Sequence, residues 1–549
     1  MLSKLKITGK SPLTTFYAEP KNITYFTGDV INPTGIIKKE STTLSTAKGQ
    51  KSAVLVDFGS ELVGGIAISG YGTNNSGKTA FKFKVNFGES ATEAITANGV
   101  KGTTNDHSVI ESEIDVSLYN GTSFGKTAFR FVYLELLSEN STYTITNLKA
   151  ECTLRDIPYL GSFSCDDDTL TNIYNTSAYT LHLCMQEKLW DGVKRDRLVW
   201  IGDTHPEMLT LRSVFGDNKI IDETLIYIKN TNKLPNFPNN ITTYGMWYIL
   251  ILYDWFEYTG REDIIYSVKD YFEGLLEQLL SLIHFENQDF LNEEEFKFGF
   301  FLDWPSKDTA GAKAGVISLF VLTLNAAAKI CKKIGNQQLL NNTLKAIDYL
   351  KTAKLNHNNQ KQIAAFMNLA GLLDDKTAKE ILIKDNSHGF STFMSYYILK
   401  SVLKTADMET ALKLLDEYYG AMLKVGATTF WEDFDINWFR EDATIEKVLN
   451  KGEYDIHGDN GKYCYQNFRH SLCHGWSSGP AAFIAEEVLG IKILKPGCKE
   501  VSVKPNLGHL NWIKGTYPTP YGIIKVKAEK INSEVKLNVT APNGVKIIY

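Results

Sequence analysis

The stretch that decides the fold is Trp190-Asp-Gly-Val-Lys-Arg-Asp-Arg-Leu-Val-Trp-Ile-Gly-Asp-Thr-His-Pro-Glu207. It combines two tryptophans and two arginines with four carboxylates, which are Asp191, Asp196, Asp203 and Glu207. The faces of tryptophan rings stack on the C–H surfaces of sugars, and carboxyl groups transfer protons during glycoside hydrolysis. This composition therefore favours a carbohydrate-active site.

Two later segments have the same character. Gly426-Ala-Thr-Thr-Phe-Trp-Glu-Asp-Phe-Asp435 places Glu432 beside Trp431, and Ser471-Leu-Cys-His-Gly-Trp-Ser-Ser-Gly-Pro480 contains His474 and Trp476. Hydrolysis of a glycoside uses one protonated acid and a second carboxylate as base or nucleophile. Acids on distant stretches can face each other across a cleft, so the best pair is one acid from 191–207 with Glu432.

The chain around these segments has a helical texture from about Cys165 to Gly490. Left-handed helix ends are predicted at Gly260, Gly335 and Gly490. About a dozen helices over roughly 320 residues suit a toroid of paired helices whose loops build a cleft at one end. The predicted helical segments lie near 207–230, 244–260, 264–284, 314–334, 337–353, 361–372, 388–404, 408–424 and 477–490.

Strand-like segments flank the helices on both sides. Before residue 155 the apolar residues alternate with polar ones, as in Thr79-Ala-Phe-Lys-Phe-Lys-Val-Asn-Phe-Gly88, and alternation returns after Gly490 in Tyr521-Gly-Ile-Ile-Lys-Val-Lys-Ala528. We therefore predict three domains: an N-terminal antiparallel β-sandwich at 1–157, an all-α domain at 158–490, and a C-terminal antiparallel β-sandwich at 491–549.

Composition excludes several classes of protein. The 549 residues contain 58 Lys+Arg and 63 Asp+Glu, for a formal charge of −5, so no basic field exists to attract nucleic acid. The seven cysteines form no CxxC pair, which favours reduced, mostly buried thiols over a disulfide framework or a zinc site. Val316–Ala328 is too short to span a bilayer. A homodimer is compatible with the sequence.

The N-terminus lacks the apolar core of a signal peptide. We expect a cytoplasmic protein, or a periplasmic or secreted one if a signal peptide was removed from the chain.

Each candidate residue also has a purely structural reading. An Arg-Asp-Arg run is most often an ion-pair network that ties a loop to its domain, and its arginines favour the charged form of Asp196, which opposes a general-acid role. Tryptophans in helical repeats are usually core residues. A histidine such as His474 is more often a hydrogen-bonded structural residue than a catalytic one.

The motifs resemble those of α-L-rhamnosidases of glycoside hydrolase family 78. The run from Asp191 to Asp203 is similar to the family signature, in which an Asp precedes an Arg-acid-Arg element, then Trp, Gly and Asp. Ala427-Thr-Thr-Phe-Trp-Glu432 resembles the second catalytic loop, and the segment around His474 resembles the one that follows. Weaker similarity covers both β flanks.

The resemblance implies a central (α/α)6 barrel between β-sandwiches and hydrolysis of terminal α-L-rhamnosides with inversion. It implies Asp196 as general acid and Glu432 as general base, and it requires no cofactor or metal. The residues it implies for binding rhamnose or tuning the acid are Asp191, Arg195, Trp200, Asp203, Trp247 (with Tyr244 nearby in the chain), Trp304, Trp431 and His474.

One departure from the family concerns the acid. Many members have Glu where this chain has the shorter Asp196, and a misplacement of about 1 Å can cost about 100-fold in rate. Glu207 is the substitute candidate for the acid. Two other functions stay open: an exo-glycosidase for another sugar on the same barrel, and a catalytically silent sugar-binding relative.

Overall fold

The computed structural model describes residues 9–47, 49–74, 77–286, 289–450, 452–532 and 534–549. Met1–Thr8, on which the expectation about a signal peptide rests, lie outside this range. Contacts divide the chain into two units. The sheet unit comprises the chain up to Pro158 together with His182–Arg197 and Asp442–Cys473, and the helical unit comprises Tyr159–Leu181, Leu198–Glu441 and His474–Tyr549.

Nine strands of the sheet unit form one hydrogen-bonded sheet. Their order is β3-β4-β9-β5-β8-β6-β7, with β1 on β9 and β2 on β5, and every pair is antiparallel. The elements are β1 (Leu13–Ala18), β2 (Asn22–Thr27), β3 (Asp29–Ile31), β4 (Thr42–Ser45), β5 (Ser52–Asn74), β6 (Ala80–Gly88), α1 (Ala91–Ile95), β7 (Glu111–Ser117), β8 (Thr122–Leu136) and β9 (Ser141–Arg155).

The alternation of apolar residues accounts for these strands. On β6, Phe81, Phe83 and Val85 are fully buried while the lysines between them reach the surface. The run Ala53-Val-Leu-Val56 has no polar residue because both faces of β5 are covered there. Val54 and Val56 face one apolar cluster, and Ala53 and Leu55 face another beneath α1. The predicted N-terminal antiparallel strands are therefore confirmed.

The helical unit contains most of the helices predicted from sequence. Gly260, Gly335 and Gly490 all have positive φ, as expected for left-handed ends. The helices are α2 (Asp168–Cys184, which continues into the sheet unit), α3 (Thr204–Val214), α4 (Ile220–Thr231), α5 (Thr242–Thr259), α6 (Glu262–Ser267), α7 (Lys269–Ser281), α8 (Ala312–Ile334), α9 (Gln337–Leu350), α10 (Lys361–Leu369), α11 (Asp375–Leu382), α12 (Ser395–Thr405), α13 (Met408–Leu415), α14 (Ala421–Lys424) and α15 (Gly479–Phe483).

Some predicted helices are divided. The segment predicted at 207–230 is two helices, α3 and α4, because Gly216 adopts a φ of +79° between them. The segment at 264–284 is divided between α6 and α7 near Val268. Short π-helical turns, Asp416–Gly420 and Ile484–Val488, interrupt the last two predicted helices.

Six helices pack in a closed cycle within the helical unit. The helix α3 contacts α5, α5 contacts α8, α8 contacts α10, α10 contacts α12, α12 contacts α15, and α15 returns to α3. Every residue of α3 and of α15 is buried, which is typical of helices surrounded by other helices. The helix α8 is long and apolar enough to cross a membrane, and 78% of its most apolar window is buried inside the protein.

Two sheets complete the helical unit. One has the order β10-β13-β14-β15, so a strand that precedes the helices pairs with strands that follow them. The other has the order β11-β12-β16, and its β12–β16 pair is parallel, which differs from the all-antiparallel prediction. The strands are β10 (Ser162–Cys165), β11 (Ile491–Lys495), β12 (Glu500–Val503), β13 (Trp512–Thr519), β14 (Gly522–Ile531), β15 (Glu534–Thr540) and β16 (Lys546–Ile548).

Cysteine burial follows the prediction: Cys464 is exposed and the other six cysteines are buried. The predicted domain boundaries at 157/158 and 490/491 stay a prediction.

Candidate functional site

Asp203 stands at the start of the fully buried helix α3. The turn before it is closed by hydrogen bonds from the Asp203 and Thr204 N–H groups to the carbonyl of Trp200. The positive end of a helix dipole favours a carboxylate at this position. Gly202 leaves room for Tyr244, because a Cβ there would lie 2.4 Å from the tyrosine ring. The Tyr244 hydroxyl donates a 3.3 Å hydrogen bond to Oδ2 of Asp203.

His474 links Asp203 to Glu432. Its Nε2 lies 3.6 Å from Oε1 of Glu432, and its Nδ1 lies 3.9 Å from Oδ1 of Asp203. All three side chains are nearly fully buried. The ring of Trp476 packs on the imidazole with 4.3 Å between centroids. Asp203, Glu432 and His474 thus form a buried cluster of two carboxylates and a histidine.

Hydrogen bonds join the two loops that carry Glu432 and His474. The His474 N–H donates to the carbonyl of Phe430 at 3.0 Å, and the Trp476 indole N–H donates to the carbonyl of Glu432 at 2.9 Å. The hydroxyl of Thr392 donates to the same Glu432 carbonyl at 2.6 Å. The backbone on both sides of the Glu432 carboxylate is therefore fixed by its neighbours.

Glu207 lies against the same loop. It is 1% exposed, on the first turn of α3, and its Oε1 would be 1.7 Å from a Cβ at position 475. Gly475 is therefore required by close packing against a buried carboxylate. The structure thus brings Asp203, Glu207, Glu432 and His474, all singled out from the sequence, into one region of the helical unit.

An aromatic row lies in the same unit. Trp200 packs edge-on against Tyr244, with 6.1 Å between the ring centroids. The centroid distance is 6.2 Å from Tyr244 to Phe301 and 5.3 Å from Phe301 to Trp304. Trp200 and Trp304 are the partly exposed members. Partly exposed tryptophan rings that are held by neighbouring aromatic side chains can stack on a sugar.

Asp303 positions Trp304. Its Oδ1 accepts hydrogen bonds from the N–H and hydroxyl of Ser306, and its Oδ2 accepts one from Ser391 at 3.1 Å. The Asp303 N–H donates to the Ser306 hydroxyl oxygen at 3.3 Å, which completes a capping box around a short 3-10 turn. Burial raises the pKa of Asp303 to about 6, although these hydrogen bonds act to lower it.

Two predicted sugar-binding tryptophans occupy different surroundings. Trp247 and Trp431 have no exposed surface. Trp247 packs among the rings of Phe366, Phe393 and Tyr397, so it supports the helical core. Neither side chain is open to water in this structure, and the contact of Trp247 and Trp431 with a sugar stays a prediction.

Asp196 lies in the sheet unit, in a strained turn. It and Arg197 have φ values of +56° and +59°, a left-handed conformation that residues with a Cβ rarely adopt. Nη1 of Arg195 lies 3.1 Å from Oδ1 of Asp196, and the Arg195 guanidinium stacks over Tyr465. Residues 195–197 are named the acid turn below. Asp191 is buried in the same unit.

Two residues absent from the sequence-based prediction contact the acid turn. The Asp196 N–H donates to Nδ1 of His107 at 3.0 Å, and the same nitrogen lies 3.6 Å from Oδ1 of Asp196. Arg469 lies 3.0 Å from Nε2 of His107 and pairs with Asp106. No local motif marks His107 or Arg469, since their relevance depends on contacts that join segments far apart in the chain.

Two known domain families match this chain. The model of the bacterial α-L-rhamnosidase six-hairpin glycosidase domain matches residues 158–488, and that of the bacterial α-L-rhamnosidase C-terminal domain matches residues 490–548. No curated protein sequence matches.

Solved structures of similar fold exist. A family 78 rhamnosidase of Bacillus sp. GL1 has a TM-score of 0.73 at 19% identity, covering 92% of this chain. This chain spans 54% of that protein. A rhamnosidase from Klebsiella oxytoca with rhamnose bound has a TM-score of 0.70 at 16% identity, covering 87% of this chain and 96% of that one. The α-L-rhamnosidase of Streptomyces avermitilis complexed with L-rhamnose has a TM-score of 0.71 at 12% identity. The match covers 98% of this chain and 50% of that one.

Proposed function

Because the chain belongs to the bacterial α-L-rhamnosidase six-hairpin glycosidase family, we propose that it removes terminal, non-reducing α-L-rhamnose from rhamnosides with inversion. Rhamnosidases of similar fold include two with rhamnose bound, which supports rhamnose as the substrate. We also infer that the cycle α3-α5-α8-α10-α12-α15 is the inner ring of an (α/α)6 barrel.

Glu432 is the proposed general base. The observation that carries the proposal is its position 3.6 Å from His474, with its backbone held by Thr392 and Trp476. A base that activates water has to be held in one orientation, and a neighbouring imidazole can hold either the carboxylate or the water beside it. Glu432 accepts the proton that the attacking water loses.

Asp196 is the proposed general acid, and it donates a proton to the glycosidic oxygen. The acid turn supports this role because strained backbone persists where its surroundings fix it, and such strain is concentrated at functional sites. Nη1 of Arg195 lies 3.1 Å from Oδ1 of Asp196, and the Asp196 N–H donates to Nδ1 of His107, so both neighbours can hold the acid in one orientation. Glu207 is the alternative acid.

Sugar recognition is proposed for six further residues. Trp200 and Trp304 supply apolar faces, and Asp203 and His474 supply hydrogen-bonding groups for sugar hydroxyls. Asp191 and Arg195 are proposed to hold the sugar or orient a carboxylate.

The test is hydrolysis of p-nitrophenyl α-L-rhamnopyranoside, with the anomer first released followed by ¹H NMR. We expect release of β-L-rhamnose, as inversion requires. Glu432→Gln should lower kcat by about 100- to 10,000-fold, which is the contribution of a general base. Glu380→Gln, an exposed isosteric change on α11, should leave turnover unchanged.

The acid is identified by its dependence on the leaving group. Nitrophenol leaves without needing a proton, whereas an alkyl alcohol needs one. Asp196→Asn should therefore lower turnover of an alkyl rhamnoside far more than that of the nitrophenyl compound, while Glu207→Gln and the exposed control Asp442→Asn should not show this difference. The opposite result for Glu207→Gln would transfer the acid role to Glu207, and absence of any turnover by the parent on rhamnosides would refute the proposed substrate.

A further inference from the structure

The strained acid turn needs an anchor. Two consecutive left-handed residues, Asp196 and Arg197, would relax to ordinary backbone conformations unless contacts on either side prevented it. The residue immediately before the turn is Lys194, whose side chain is buried and points away from solvent. The contacts of Lys194 show how the turn is fixed.

The Lys194 ammonium is held by two carboxylates and a carbonyl. Its Nζ lies 3.2 Å from Oε2 of Glu89 and 2.5 Å from Oε1 of Glu93, and it donates to the His470 carbonyl at 3.0 Å. Burial acts to lower the pKa of Lys194, but Glu89 and Glu93 outweigh it and raise the pKa, so the ammonium stays charged. Lys194, Glu89 and Glu93 are named the lysine clamp.

The carboxylates of the clamp are themselves fixed. Oε1 of Glu89 accepts from the Ser471 hydroxyl at 3.0 Å, and Oε2 accepts from the Leu472 N–H at 2.6 Å. Oε2 of Glu93 accepts from the Glu89 N–H at 2.8 Å. A charged group held by several short, buried hydrogen bonds has little freedom to move.

Glu89, Glu93 and His457 are also spaced as metal ligands, with ligand atoms within 4.8 Å of one another. The Lys194 ammonium contacts both carboxylates, so it already supplies a cation to this group. The Ser90 hydroxyl lies 2.8 Å from Nδ1 of His457, and Nε2 of His457 lies 2.9 Å from the His470 carbonyl. These contacts assign the histidine to the same hydrogen-bonded network rather than to an ion.

A second set of contacts acts on the backbone next to the clamp. The Ser108 hydroxyl donates to the Lys194 carbonyl at 3.2 Å, and the Asp196 N–H donates to His107. Residues 194 to 196 are thus held at a side chain, a carbonyl and an N–H by strand ends and loops of the N-terminal sheet.

We propose that the lysine clamp and His107 are positioning groups for the general acid: they hold the acid turn in its left-handed conformation and so fix where Asp196 delivers its proton. This inference rests on the proposed function, in which Asp196 is the acid. It makes the N-terminal sheet a part of the catalytic apparatus. None of these groups needs to touch the substrate.

The experiment compares two substrates in each variant. Lys194→Met keeps most of the length of the side chain but removes the charge, so the turn loses its anchor. We expect kcat/KM for an alkyl α-L-rhamnoside to fall by about 100-fold, the size expected for a misplacement of about 1 Å, and that for the nitrophenyl compound to fall by less than about 10-fold. Lys84→Met, which breaks the partly exposed Lys84–Glu111 pair of the same sheet, is the matched control.

His107 supplies a second, milder variant in case Lys194→Met does not fold. His107→Ala removes the acceptor for the Asp196 N–H, and His107→Asn replaces it with an amide oxygen. We expect the alanine variant to lose alkyl rhamnoside turnover selectively and the asparagine variant to recover part of it.

Equal losses on both substrates, accompanied by a lower melting temperature, would show that the clamp only stabilises the fold and would overturn the inference. If Asp196→Asn shows the leaving-group dependence but neither Lys194→Met nor His107→Ala does, the inference fails while the proposed function stands. If Asp196→Asn itself lacks that dependence, the assignment of the acid fails first.

Discussion

Nε2 of His474 lies 3.6 Å from Oε1 of Glu432, and both residues are at most 3% exposed. The same imidazole faces Asp203 with its other nitrogen. An imidazole between two buried carboxylates can donate a proton to only one of them while it is neutral, so the choice of tautomer decides which carboxylate it holds.

We predict that His474→Ala lowers kcat on the nitrophenyl rhamnoside by about 10- to 100-fold, because the orientation of the proposed base is lost. Steady-state kinetics measure the change. His509→Ala, on a half-exposed histidine of the same unit, is the control and should leave kcat unchanged. An unaltered kcat in His474→Ala would show that Glu432 needs no help from the imidazole.

Gly475→Ala should lower both stability and activity. The added Cβ would lie 1.7 Å from Oε1 of Glu207, and such overpacking costs about 1–3 kcal/mol. The displaced loop carries His474 next to it, so kcat should fall as well. Urea unfolding and kinetics measure the two effects. In the Gly475→Ala/Glu207→Ala variant the clash is gone, so its loss of unfolding free energy should be smaller than the sum of the two single losses.

Asp303 should make stability depend on pH. Burial raises its pKa from 3.8 to about 6, so the folded protein holds the proton more tightly than the unfolded chain does. Stability from this group is present below pH 3.8 and is lost as pH rises through 6, a difference of about 3 kcal/mol. Melting temperatures between pH 4 and 7 should show this slope in the parent and a flatter one in Asp303→Asn, which keeps an oxygen for Ser306.

Glu486 should make stability depend on pH in the opposite direction, with a loss of stability as the pH falls. Burial acts to raise its pKa, but Lys400 and Arg212 outweigh burial and lower the pKa to about 2. Its stabilisation is therefore present above pH 4.5 and is lost as pH falls toward 2. Glu486→Gln should cost about 3–5 kcal/mol near neutral pH, because Arg212 then stays buried without its partner at 2.8 Å.

Denaturant titration of Glu486→Gln against Glu380→Gln measures this loss. Equal stability of the two variants at pH 7 would contradict the prediction.

Sequence patterns predicted those parts of the molecule whose signals are local. The alternation on β6 and the glycines that end α5 and α8 gave correct elements, and the motifs around Asp203, Glu432 and His474 led to residues that the structure brings together. A short motif carries such residues because the turn that presents them is itself built from its neighbours in sequence.

Local sequence patterns could not predict the burial of individual side chains or the contacts between segments far apart in the chain. Trp247 and Trp431 belong to a residue type that serves both cores and sugar sites, and only packing separates the two. Thr392 and His107 contribute through hydrogen bonds to residues 40 and 89 positions away. The parallel β12–β16 pair and the return of β10 to β13 likewise depend on topology rather than on local pattern.

The sheet unit is assembled from three separate parts of the chain. During synthesis it can therefore be completed only after the last of these parts has been translated. Glu89 finds its hydrogen-bond partner Leu472 only 383 residues later. At about 5–20 residues per second, the ribosome needs roughly 20 to 80 s to produce that partner. Until then the carboxylate of Glu89 lacks this partner, and the contacts that hold the acid turn are completed only after Leu472 has been translated.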